Sequence, residues 1–190
     1  MNTSLKSQLG DASLSKASPE DIMNVFVCQK NKVHDTVKVT GAKHVLSLLD
    51  PGDRLYLTPR LQEINHLHLK CEDVLDENAW AAPTREQVQE LLEWARCIPD
   101  EDTLVVHCFA GVSRSTAAAI AILADRLGNA NAAVQRIKSV RPQLRPNPVI
   151  TKFADEILGL DGKLYEECEK VANYRLLTYL AGGEEDDDDE

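Results

Sequence analysis

Apolar positions along the chain change period several times. Ile22–Cys28 (IMNVFVC), Lys43–Leu49 (KHVLSLL), Ile64–Leu69 (INHLHL) and Thr103–His107 (TLVVH) are short apolar runs. The third alternates strictly, and all four read as strands. Between the third and fourth the period lengthens. Thr84 and Gln87 form a T-x-x-Q capping box, and Val88, Leu91, Leu92 and Ala95 follow at i, i+3, i+4 and i+7. That spacing predicts an amphipathic helix. After His107 a glycine-containing loop leads to a small-residue helix, Ser115–Leu127, stopped by Gly128. Further helices are expected at Asn131–Val140, Pro148–Leu158 and Gly162–Leu177. Strands separated by helical crossovers predict an α/β fold: a mostly parallel sheet of four to five strands with helices on both faces.

The rest of the chain bounds this domain. Residues 1–20 are polar and expected to be flexible, residues 21–180 form the ordered domain, and residues 181–190 read as a disordered acidic tail. The 190 residues carry 21 basic and 31 acidic groups, a net charge of −10, but Glu184–Glu190 are all acidic. The acidity is mostly a tail. It still argues against nucleic acid or an anionic membrane as partner. The longest wholly apolar run, Ala117–Ala124, has eight residues, against the roughly 20 of a spanning helix. No continuous apolar stretch near the start suggests export. The five cysteines (Cys28, Cys71, Cys97, Cys108, Cys168) show neither C-x-x-C pairing nor metal-ligand spacing, so no metal, no cofactor and a reducing cytoplasm are expected.

One segment carries chemistry: His107-Cys108-Phe109-Ala110-Gly111-Val112-Ser113-Arg114-Ser115. It joins a buried strand to a helix, at the strand end where open α/β sheets place their ligands. A helix start presents unpaired N–H groups and the positive end of the macrodipole. The same field favours thiolate over thiol, so Cys108 is expected to be nucleophilic at neutral pH. Arg114 is out of place by ordinary rules, because a cation in the first turn opposes the dipole. A guanidinium curling back over a loop that Gly111 lets turn sharply can grip two phosphate oxygens at once. Phe109 to Arg114 would then cradle a phosphoryl group against the Cys108 sulfur.

These residues resemble the signature of the cysteine-dependent protein tyrosine phosphatases, H-C-x5-R-[S/T], and the form HCxAGxSRS is most similar to their dual-specificity branch. Random placement of the chain's own residues would give H-C-x5-R only about 0.007 times. The acidic pair Glu72-Asp73 after a strand, the capped helix, and Arg141-Pro142 to Pro146-Asn147 are similar to that branch too, while Cys28, Gly41-Ala42 and Phe153-Ala154-Asp155 resemble compact bacterial-type tyrosine phosphatases. The resemblance implies the phosphatase fold and phosphotyrosine hydrolysis, extending to phosphoserine and phosphothreonine in a shallower pocket, through a cysteinyl-phosphate. A phosphorylated protein or peptide would be the substrate. Cys108 becomes the nucleophile, His107 the residue that orients the loop and tunes the thiol, and Ser115 the hydroxyl that helps the sulfur leave.

A protonated carboxyl must reach the leaving oxygen. Asp73 stands where the strand runs out and is preferred; Asp76 is the alternative. Their loop, Glu72 to Pro83, would be a lid or a plain surface connection. Ser113 is read as a helix cap, Asn147 as a brace for backbone near the phosphate loop or a turn former, and Arg141 and Arg145 as added positive potential or helix-end cations. Cys28 and Cys71 would be buried, or either would pair with Cys108 on oxidation. Two other readings of the chain are carried: a phosphatase of a non-protein monoester such as a phosphoinositide, disfavoured because the loop lacks lysine, and a noncatalytic phosphotyrosine-binding scaffold, disfavoured because both Cys108 and Arg114 remain.

Overall fold

The structure, a computed structural model, describes residues 22–56, 58 and 62–180, with side chains through residue 172. The expected flexible segment 1–20 and acidic tail 181–190 lie outside the described residues. Four strands, β1 (Asn24–Gln29), β2 (His44–Leu49), β3 (Asn65–Lys70) and β4 (Thr103–Cys108), form one sheet in the order β1-β4-β2-β3. Every pairing is parallel. All four strands begin or end within two residues of the positions their sequence patterns predict.

Burial follows from position. β2, in the interior of the sheet, is buried at all six positions, whereas the edge strands β1 and β3 keep exposed residues. One face carries the larger core, built with α2 (Arg85–Arg96), α3 (Arg114–Leu127), α4 (Ala130–Val140), α5 (Pro148–Leu158) and α6 (Lys163–Leu180). Thr84 and Gln87 make both bonds of the expected capping box at the start of α2. The other face is covered by α1 (Val33–Thr40), entered through a short 3₁₀ turn, Lys30–Lys32, and packed on Cys28, Val45 and Val105 through Val33 and Val37. The sequence patterns did not predict α1. Only two of its eight residues are buried, too few to show a helical period. Gly41, left-handed at φ 67°, stops it.

α3 is the axis of the domain. Its first eleven residues, Arg114 to Ala124, are all buried. Alanines at 117, 118, 119, 121 and 124 let it sit close to β4, α4 and α5, while Ile120, Ile122 and Leu123 fill the gaps between them. Burying each of those larger side chains stabilises the fold by about 1.5–3 kcal/mol. The helix is therefore a rigid support for whatever its first turn holds. Ile120→Ala, which leaves a cavity at a fully buried site, is expected to lower unfolding stability by about 2–5 kcal/mol. Urea titration followed by circular dichroism measures the loss.

Candidate active site

The loop Phe109–Ser113 connects the end of β4 to the first turn of α3, as its sequence pattern required. Asking where its carbonyls go explains its shape. The Phe109 carbonyl accepts from Lys30 N (3.1 Å), that of Val112 from Arg145 N (2.9 Å), and that of Ser113 from Ala117 N (3.0 Å). The Cys108 carbonyl faces His107 Nδ1 at 3.3 Å. Each peptide here is trans, so the N–H of the next residue points the opposite way. Carbonyls held outward thus turn the amides of 109, 110, 113 and 114 toward the inside of the loop.

Cys108 Sγ lies in that concavity. It accepts from Gly111 N at 3.2 Å and is 3.1 Å from Ser115 Oγ. Gly111 has φ 72°, and a Cβ there would stand 2.7 Å from the Cys28 carbonyl carbon. No other residue fits without moving the β1 backbone. The thiol is therefore seated by a turn only glycine can make.

Arg114 is inward and 3% exposed. Nη1 donates to Asp50 Oδ1 (2.6 Å) and to the Cys71 carbonyl. Nε is buried without a hydrogen-bond partner, 3.9 Å from Asp73 Oδ2. Burial opposes the charge, but the Asp50 hydrogen bond and the attraction of Asp73, Asp50 and Cys108 more than offset it, so the pKa rises. Asp50 was not singled out in the sequence. Its signal was available: a carboxylate directly after a strand, in Leu49-Asp50-Pro51, at the same sheet edge.

Asp73 is held as an exposed carboxylate reaching in. Its Oδ1 accepts from Ser113 Oγ (2.6 Å) and from Asn147 Nδ2 (2.9 Å). The expectation for Ser113 changes here, and that for Asn147 gains its partners. Ser113 precedes α3 but makes no side-chain cap bond; its hydroxyl is spent on Asp73. Asn147, fully buried, does not brace the phosphate loop through its side chain. Its amide NH2 spans Asp73 and the Val74 carbonyl, and its Oδ1 caps α5 through Val149 N and Ile150 N. Only its backbone N–H reaches Ser113 O, at 3.4 Å. The loop after Asp73 is closed by Glu72 N on the Ala81 carbonyl (2.8 Å), with Ala81 left-handed at φ 53°. Asp76 turns its Oδ1 to Asn78 within that loop and lines a hollow with Pro148, Lys152 and Tyr165, on α5 and α6 rather than on the Cys108 loop. Asp73, not Asp76, meets the residues around Cys108.

His107 is completely buried, and burial pushes its pKa down to about 4. Arg141 lies against Gly111 through Nη2, with its Nε buried and unpaired, whereas Arg145 is exposed and meets the loop through its backbone. Cys28 pairs in register with His107 and belongs to the α1 face, so its thiol is across the sheet from Cys108, which belongs to the α3 face. Cys71 shares the Cys108 face, but β2 runs between their strands. Burial lifts the Cys71 thiol to about 11. Neither is arranged for a disulfide with Cys108 without strand movement. No group of three or more potential metal ligands occurs among the described residues.

A thiol under converging amides, with a buried guanidinium beside it, defines the cysteine-dependent tyrosine phosphatase superfamily, and comparison with known proteins narrows this. The family model described as dual specificity phosphatase, catalytic domain, matches residues 25–154, and the chain belongs to that family. Dual specificity protein phosphatase 15 of Mus musculus is 32% identical over 145 residues, 75% of this chain and 57% of that protein. Its Rattus norvegicus counterpart is 32% identical over 100 residues, 52% of this chain and 40% of that protein. The chain thus spans about half the length of these relatives. Among solved structures, DUSP15 superposes with a TM-score of 0.55 at 22% identity, over 79% of this chain and 93% of that one. Human DUSP28 gives 0.57 at 18%, over 72% and 92%. At such identities the structures speak for the fold alone.

His107 also makes a stability prediction. Its folded pKa of about 4 lies below the unfolded value of about 6.5. The stabilisation is therefore complete above the unfolded value and is lost as pH falls through the folded one, about 3 kcal/mol in all. In His107→Gln this part of the pH dependence disappears. The gap in unfolding free energy between wild type and variant should narrow between pH about 6.5 and about 4, as measured by urea titration at each pH. A constant gap would show that burial does not hold His107 neutral.

Proposed function

We propose that this chain hydrolyses phosphotyrosine, and phosphoserine or phosphothreonine where they reach the cup, in a protein substrate. The observation that carries the reading is Cys108 Sγ under the Gly111 amide, beside Arg114, whose Nε is buried without a hydrogen-bond partner, 3.9 Å from Asp73 Oδ2. A phosphate dianion supplies what that nitrogen lacks. Nη1 is already fixed by Asp50 and Cys71, so the guanidinium is held in place and Nε is left for the ligand.

In the first step Cys108 sulfur bonds to phosphorus as the ester bond to oxygen breaks. The equatorial oxygens gain charge against the loop amides and Arg114. Asp73 supplies the proton to the departing oxygen. Its Oδ1 already accepts twice, so Oδ2, the oxygen nearer Arg114, carries it. In the second step water attacks phosphorus, Asp73 takes the water's proton, and the Cys108–phosphorus bond breaks. The Ser115 hydroxyl, within hydrogen-bond distance of Sγ, stabilises the departing thiolate. A nucleophilic thiol has to stay reduced, which favours a reducing compartment such as the cytoplasm. No helix among the described residues is long and apolar enough to cross a membrane.

Cys108→Ser is expected to abolish phosphate release from a phosphotyrosine peptide. Asp73→Ala should slow that peptide by about two orders of magnitude and slow an activated aryl phosphate much less, because a good leaving group needs no proton. Equal rates for Asp73→Ala and wild type on both substrates would overturn the assignment. Gly111→Ala, which drives a methyl into the Cys28 backbone, should lower kcat/KM by about a hundredfold or more. Release measured across phosphopeptides and phosphoinositides names the substrate; release from inositol lipids alone would replace the protein-phosphatase reading, and binding without release would leave a recognition module.

A further inference from the structure

On the α1 face of the sheet, alternate positions of three neighbouring strands form a polar seam in an otherwise apolar surface: His107 on β4, Ser47 on β2, and His66 and His68 on β3. Ser47 and His107 are register partners, and both are fully buried. Ser47 Oγ lies 2.5 Å from His107 Nε2 and 2.7 Å from His66 Nε2. The His66 ring stacks on that of His68 with centroids 6.0 Å apart. The line runs from partly exposed His66 to the carbonyl of Cys108, a span that nothing in the sequence connects.

Elimination assigns the protons. A carbonyl oxygen can only accept, so His107 Nδ1, facing Cys108 O at 3.3 Å, carries a hydrogen. Burial holds His107 neutral, so Nε2 has a lone pair and accepts the Ser47 hydroxyl hydrogen. That hydroxyl has one hydrogen. Toward His66 its oxygen must accept, and His66 Nε2 must donate. Reversing the line would make His107 Nε2 the donor and turn the Nδ1 lone pair against the carbonyl. One direction satisfies every group.

We propose that His66, acting through Ser47, is a positioning residue for the nucleophile: its Nε2–H selects the His107 tautomer that holds the Cys108 carbonyl away from the cup. With that carbonyl held out, the amide of Phe109 stays turned in. The other titratable or charged groups facing the seam are His68, Lys30 with its partner Asp53, Arg54, Lys70 and, in register with His107, Cys28. Burial first, and the neighbouring His68 second, hold His66 toward its neutral form. Even a protonated His66 would keep the Nε2 hydrogen the line requires. The inference rests on the phosphatase reading, and its test separates the two.

The experiment compares wild type, His66→Phe, His66→Gln and Ser47→Ala. Iodoacetate alkylation of Cys108 is followed against pH by peptide mass, with thermal melts and steady-state kinetics on an aryl phosphate alongside. Glutamine keeps an N–H donor near the Nε2 position; phenylalanine fills the space without one. In His66→Phe and Ser47→Ala the midpoint of alkylation should rise by about 0.5–1 pH unit, and kcat should fall with KM little changed. His66→Gln should follow wild type in both. A His66→Phe protein with wild-type midpoint and turnover, whatever its melting temperature, overturns the proposal. So does a His66→Gln protein displaced as far as His66→Phe. Failure of wild-type Cys108 to react more readily than free cysteine at every pH instead overturns the phosphatase reading itself.

Discussion

A guanidinium that is almost wholly buried has to be met by oxygens from outside its own helix, and Arg114 collects them from three places. Asp50 closes β2, the Cys71 carbonyl follows β3, and Asp73 begins the next crossover. Each is a point where the chain leaves the sheet. These contacts therefore tie the carboxyl ends of two strands and the loop carrying Asp73 to the first turn of α3. Arg114 is the buried member while Asp50 and Asp73 stay partly exposed, so removing either carboxylate leaves a buried charge that solvent compensates only from one side. Binding geometry and fold stability share the same contacts here.

The loop itself depends on its surroundings in the same way. Its outward carbonyls are held by Lys30 from the turn before α1, by Arg145 from the segment before α5, and by the first turn of α3. Its one left-handed residue lies on the backbone of β1. A loop free of these would choose other peptide orientations, and the amides would not converge. Asn147 adds a further link: one side chain caps α5, holds the Val74 carbonyl and orients Asp73. The residue that caps α5 thus orients the Asp73 carboxylate from 74 positions farther along the chain.

What the sequence made legible was local. The strands, the capping box at Thr84, the Gly128 stop and the Cys108-to-Arg114 loop all follow from residues within one element, where period and turn chemistry act directly. α1 was hidden because its three valines do not share a face: Val33 and Val37 are buried, Val39 is exposed, and the segment shows no clean period. The partners of the site were hidden for a different reason. Asp50 meets Arg114 across 64 residues of chain, Asn147 meets Asp73 across 74, and Ser47 meets His107 across 60. Ser113 shows the same limit in small: its position marks a cap, yet Asp73, brought up by the fold, competes for its hydroxyl and wins with a charged acceptor.

Beside the loop, Phe109 and Ala110 form one wall of a hollow of about 460 Å³, completed by Gln29, Lys30, His34, Arg54, Leu55 and Tyr56. Its remaining walls come from the α1 side and from the connection after β2, segments outside the signature motif. An inhibitor anchored by a phosphate mimic would draw its grip from the shared motif and could be grown sideways into this hollow for selectivity. Affinity and discrimination would then be tunable on separate parts of one molecule.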